Sequence, residues 1–292
     1  MNQTDEVIHE ESFSLGDYFQ HVRDKIENDP LFGQTSRLCE FKDGKLFYRT
    51  EYIHPTVNPG MRFPVMLLFS NPHPVSVSRG MFLSEPRSLT FWRRLFECEL
   101  LDLTPLLDSA LKTWSETTVI ILKDHLVNVL YGGEILIHMD CLESLPTNQF
   151  IDLDELFPGT AGRDYRRQVM QTTSIQRMIQ AYRNQRCKHW IVFSAAAYRE
   201  ILRDKSLAMN GPRRICEALN KWLQIRNEDL FWQDLEDFKK SIVIEGETVN
   251  LYLPLIARLK HWKATNGQFY FTLMLDRIFK RIRNNDNSKP II

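Results

Sequence analysis

Residues 63–70, FPVMLLFS, run almost unbroken in apolar side chains and stop at Asn71-Pro72-His73-Pro74. A half-exposed strand alternates and an amphipathic helix follows the helical period; this run does neither. It predicts a strand covered on both faces, which a sheet achieves when helices pack on each side. The prolines at its end fix their own φ and push Asn71 and His73 toward extended backbone. In open α/β sheets ligands gather beyond the carboxyl ends of the strands. The stretch from Asn71 to Ser78 is therefore a candidate site whose stiff backbone holds side chains in fixed directions. The plainer alternative is that prolines end strands and Asn begins turns.

The rest of the chain alternates strand and helix signals. SLGDYFQHVRDKIENDPLFG has helical spacing, and CEFKDGKLFYRTEYIHP alternates around Asp43-Gly44, predicting a hairpin or two short strands. LTFWRRLFECELLD predicts a helix with Phe91, Trp92, Leu95, Phe96 and Leu100 inward, and EILIHMD, after Gly132-Gly133, a further core strand. RDYRRQVMQTTSIQRMIQAYRNQR is an amphipathic helix with a basic outer face, feeding the buried strand, turn and helix of KHWIVFSAAAYREIL. RICEALNKWLQI reads as helix, SIVIEG and TVNLYLPLI as strands, and GQFYFTLMLDRIFKRIRN as a closing helix, whereas FPGTAGRD (157–164) reads as a loop. This alternation predicts an α/β fold of three α/β/α layers around a central, mostly parallel sheet. No repeat or Gly/Ser-rich linker divides the chain, so the expectation is one domain over 1–292. It comprises a helix-and-hairpin extension over 1–55, a core over 60–265 and a C-terminal helix over 266–292.

Charge narrows the partners. Lys plus Arg number 37 and Asp plus Glu 37, a net charge of zero, so no global basic field attracts nucleic acid, although one face can still be basic. The 5 cysteines contain no CxxC pair, which argues against a zinc ribbon or iron–sulfur cluster and fits reduced thiols in a cytoplasmic protein. The acidic N-terminus lacks the apolar core of a signal peptide, and no window approaches the roughly 18 apolar residues of a membrane helix. GxxxxGK[ST], GxGxxG, GxSxG and HExxH are all missing, so neither a cofactor nor a metal is expected.

The order apolar strand, Asn71-Pro72, short loop, Gly80-x-Phe82, then a helix opening on Phe91-Trp92 resembles the first motif of the uracil-DNA glycosylase superfamily. The likeness is nearest to its mismatch-specific and single-strand-selective branches. HWIVFSAAAYREIL is a weaker echo of a later strand and Ala-rich helix start, and residues from about 60 to 260 follow the family's order of elements. The resemblance implies a uracil-DNA-glycosylase-like fold and hydrolysis of an N-glycosidic bond in DNA, leaving an abasic site. Asn71 would orient the attacking water and Phe82 would stack on the extruded base, an interaction worth about 1–3 kcal/mol.

The departures are as informative. Where the family carries His-Pro-Ser, this chain has Leu253-Pro254, so the usual base-polarising His is missing; His73, in place of a family glycine, and His261 are the candidates to replace it. The base-reading strand offers His138 or Asp140 instead of Asn, and a carboxylate suits an amino group such as the cytosine N4. That pairing is compatible with a modified cytosine in phage DNA, a defence role some bacterial members serve; equally, Asp140 can cap a strand end or pair with an arginine. Arg258, Lys260, His261 and Lys263, with Trp262 among them, occupy the family's DNA-intercalating loop, and Ser76, Ser78 and Arg79 suit backbone phosphates. Two other readings stand beside the enzyme: a nucleic-acid-binding protein that keeps the fold without catalysis, and an interaction scaffold.

Overall fold

The structure, a computed structural model, describes residues 8–28, 39–51, 65–69, 73–79, 89–98, 135–139, 153–168, 172–185, 187–193, 197–198, 201, 208–210, 240–252, 263 and 267–286. The chain divides into two compact units. The first comprises residues 1–61, 69–88 and 137–184, and the second residues 62–68, 89–136 and 185–292.

In the first unit, β1 (Ile8–Ser14), β2 (Cys39–Lys42) and β3 (Lys45–Glu51) form an antiparallel sheet of order β1-β3-β2. The expected hairpin is present: Asp43 and Gly44 both have positive φ, 51° and 72°, as the tight turn between twisted antiparallel strands requires. A 3-10 turn, Gly16–Tyr18, leads into α1 (Phe19–Glu27). Val22 and Ile26 of α1 join Phe13, Leu15, Leu46 and Tyr48 in one buried cluster, completed by Leu156 and Phe157.

β1 itself was not expected. IHEESFS sends Phe13 to the core, and its strand conformation comes from pairing with β3 from Ile8↔Glu51 to Ser14↔Lys45.

FPGTAGRD also departs from the expected loop: after α2 (Pro74–Arg79), α3 (Leu89–Phe96), β5 (Ile135–Met139) and α4 (Leu153–Leu156), the chain forms α5 (Gly159–Arg166). The two glycines that argue against a helix have structural causes. Gly159 has φ +75°, and a Cβ on Gly162 would lie 2.5 Å from the Phe157 carbonyl carbon and oxygen. The following helix, α6 (Thr172–Gln185), realises the C-terminal part of the expected amphipathic segment.

The second unit is built around β4 (Val65–Phe69), where the apolar run forms its strand. Val65, Met66, Leu67 and Leu68 are fully buried, and burial on this scale contributes about 1.5–3 kcal/mol per side chain. β6 (His189–Val192) pairs with β4 in parallel, from Val65↔His189 to Leu68↔Val192, and the Phe193 N–H donates to Leu68 O at 2.8 Å. β7 (Ala208–Asn210), β8 (Lys240–Ile244) and β9 (Glu247–Tyr252) complete a six-stranded sheet of order β5-β4-β6-β9-β8-β7. By the division into units, Phe69 of β4 and residues 137–139 of β5 fall in the first.

The fold class is thus α/β, with a mixed sheet: β4, β6 and β9 run parallel, whereas β8 is antiparallel to both β9 and β7. The cause is the connection. Only Glu245 and Gly246 separate β8 from β9, and both have positive φ, 53° and 80°. A parallel neighbour needs a crossover of a dozen or more residues, so a two-residue link can close only a hairpin. α7 (Tyr270–Asp286) packs against α3, and Phe91, Phe193 and Phe271 meet ring to ring, with centroids 5.4 to 6.2 Å apart.

Candidate functional site

The candidate residues begin where β4 ends. Asn71 and Pro72 lie outside the described residues, in the short stretch between Phe69 and His73. His73 directly precedes α2, and its ring closes the helix start: Nδ1 accepts the Val75 N–H at 3.2 Å while its carbonyl accepts the Val77 N–H at 2.9 Å. A nitrogen that accepts from a backbone N–H carries no proton, so Nδ1 is the bare nitrogen of the ring in this arrangement. His73 is half-buried.

Ser76, one turn into α2, is fully buried rather than presented to solvent. Ser78 and Arg79 occupy the end of the same helix. His138 sits on β5 with 1% of its surface exposed, and Asp140 and Phe82 lie outside the described residues. Asn71, His73, Phe82, His138 and Asp140 all belong to the first unit, whereas Arg258, Lys260, His261 and Lys263 belong to the second. Arg258, Lys260 and His261, together with Leu253-Pro254, lie outside the described residues.

Lys263 is described and exposed. It forms an antiparallel bridge with Phe269, and its Nζ stands 5.0 Å from the centroid of the Phe269 ring. The Arg94 guanidinium carbon lies 3.1 Å from the same centroid. Neither Arg94 nor Phe269 stands out in the sequence, because the aromatic face of LTFWRRLF dominates the pattern of its helix. The one available signal was a cation on that helix's polar side.

Beside Arg94 the second unit carries a polar cluster in which Thr272 and Cys98 are buried and Glu97 is exposed. Thr272 Oγ1 donates to Glu97 Oε2 at 3.2 Å, and the Cys98 thiol reaches the Arg94 carbonyl at 3.5 Å. Burial first, then the nearby carboxylates of Asp276 and Glu97, push the Cys98 thiol well above its usual range, which keeps it protonated and unreactive. Across the parallel strands, His189 Nδ1 and the Tyr252 hydroxyl are 3.3 Å apart, both buried.

Among the described residues no group of three or more His, Cys, Asp or Glu is placed to hold a metal ion, and no helix is long and apolar enough to cross a membrane. No family model matches the chain, and no curated protein matches it.

Proposed function

We propose that this chain is a DNA glycosylase with a three-layer, uracil-DNA-glycosylase-like fold, hydrolysing the N-glycosidic bond of a uracil-like or modified base to leave an abasic site. One observation carries the reading. The strand that leads into Asn71-Pro72 is fully buried and lies within a parallel β4-β6-β9 set, so Asn71 follows a core strand directly in sequence. The order downstream supports it as well: α2 starts three residues after Asn71, and α3 buries Phe91 and Trp92.

In this mechanism Asn71 orients a water toward the sugar C1′ through its side-chain carbonyl. Phe82 stacks on the extruded base, and the strand end at His138 and Asp140 reads the base edge. Basic residues of the 258–263 segment and of α2 hold the backbone phosphates.

The test is to incubate the protein with duplex and single-stranded oligonucleotides carrying uracil, hypoxanthine, 5-hydroxymethylcytosine or its glucosylated form, and to assay for abasic sites. Strand breaks at one modified base after alkaline treatment, lost in Asn71→Ala, support the enzyme. Leu253-Pro254, standing where the family has His-Pro, favours a second reading, a catalytically silent nucleic-acid-binding protein. Binding without abasic sites on any substrate supports that one.

A further inference from the structure

Phe269 carries two cations. Arg94 and Lys263 both stand within cation–π range of its ring, at 3.1 and 5.0 Å, and the bridge between Lys263 and Phe269 fixes the backbone that bears the ammonium. Arg94 is anchored: its Nη1 pairs with Glu97, whose second oxygen takes the Thr272 hydroxyl, and only 13% of its side chain remains exposed. Lys263 is exposed and, among the described residues, has no carboxylate partner. Glu97 neutralises Arg94 and Asp276 lies buried beside Cys98, so the uncompensated cation at the Phe269 ring is Lys263. An anion placed there relieves the repulsion between the cations, and a charge-assisted contact to Lys263 is stronger than a neutral one.

We propose that Arg94, Lys263 and Phe269 form a clamp for one phosphodiester of a nucleic-acid backbone, an inference that rests on the reading of the chain as a DNA-acting protein. The sequence around the clamp favours a phosphate chain over an isolated carboxylate. Lys263 closes the segment RLKHWK, in which Arg258 and Lys260 precede Trp262, and cations interleaved with an aromatic suit a strand of repeating phosphates and bases. In the clamp Lys263 makes the phosphate contact. Phe269 restrains the ammonium, and Arg94 supplies fixed positive charge behind it.

The test is the salt dependence of binding to an unmodified fluorescent oligonucleotide, single-stranded and duplex, read by anisotropy. Removing one phosphate contact lowers the magnitude of the log–log salt slope by about 1. Lys263→Gln, at an exposed position, is expected to show that loss, so its affinity falls about fourfold less than wild type between 50 and 200 mM salt. Glu97→Gln, which removes the neutralising carboxylate, is expected to bind more tightly at low salt, a direction that damage to the fold does not produce. A slope unchanged in Lys263→Gln, or weaker binding in Glu97→Gln, overturns the clamp while leaving the DNA reading intact. Wild-type protein that binds neither oligonucleotide overturns both.

Discussion

In the first unit one arginine ties together elements that are distant in sequence. Arg177, on α6, pairs with Glu11 at 2.8 Å, donates to the Tyr48 hydroxyl at 2.6 Å and to the Ser12 carbonyl at 3.0 Å, and stands over the rings of Phe13 and Tyr48. In the second unit the central strands meet through Val65, Met66, Leu67, Leu68, Ile191, Val192 and Leu251, all fully buried and none able to hydrogen-bond through its side chain. The contrast separates two ways of specifying a fold. Apolar strands announce themselves locally, whereas a polar tie needs partners that the sequence scatters over more than a hundred positions.

Substitutions that probe each unit sharpen this contrast. The largest effect is expected in the second unit: Trp92→Ala empties a fully buried site on α3 and costs about 3–5 kcal/mol, measured by urea denaturation. In the first, Arg177→Met keeps most of the volume but removes the ion pair to Glu11 and the donors to the Tyr48 hydroxyl and the Ser12 carbonyl, and is expected to cost about 3 kcal/mol. If Arg177→Met is neutral, the first unit is held by its apolar cluster alone and the contrast collapses.

Glycines give smaller, graded effects. Gly162→Ala places a methyl against the Phe157 backbone and should cost about 1–3 kcal/mol. Gly44→Ala and Gly246→Ala meet no atom within 4 Å, so each pays only left-handed strain, about 1–2 kcal/mol. Equal losses at the two turns show that the hairpins of the two units are equivalent, and unequal ones that a unit adds strain of its own.

The smallest effect is on pH dependence. Burial pushes the Cys39 thiol from 9.0 up to about 12 and raises Cys187 as well. A group whose folded value is raised contributes fully below its unfolded value and loses that contribution as pH rises toward the folded one. Stability should therefore decline above about pH 9, by about 1.4 kcal/mol per pH unit for each such thiol. Denaturation at pH 8 and pH 10 should show a shallower decline in Cys39→Ala.

How much was legible in the sequence follows the same division. β4, α1, α3, β5, β6 and α7 were readable, because each carries its own apolar period or run. The β2–β3 turn was readable because Asp-Gly is an ordinary pair at positive φ. The β8–β9 turn was hidden because Glu245 is a poor residue for that conformation, so two strands were visible but not their pairing. β1 and α5 were missed: one takes its conformation from β3, and the other tolerates glycines because a neighbouring backbone approaches closely.

At the candidate site, the sequence singled out His73 by its neighbours, and the structure adds that its Nδ1 holds the start of α2. It could not reveal the pairing of Arg94 and Lys263 on Phe269, which joins residues from three separate segments.

The central claim is that Asn71 directs water onto the anomeric carbon of an extruded nucleotide. Single-turnover cleavage of oligonucleotides carrying each modified base, by wild type and Asn71→Ala at equal DNA affinity, tests it most directly. The account predicts abasic-site formation on at least one substrate by wild type and a rate roughly a hundredfold lower in the variant. Equal rates in the two proteins, or no abasic site on any substrate despite tight binding, would contradict it.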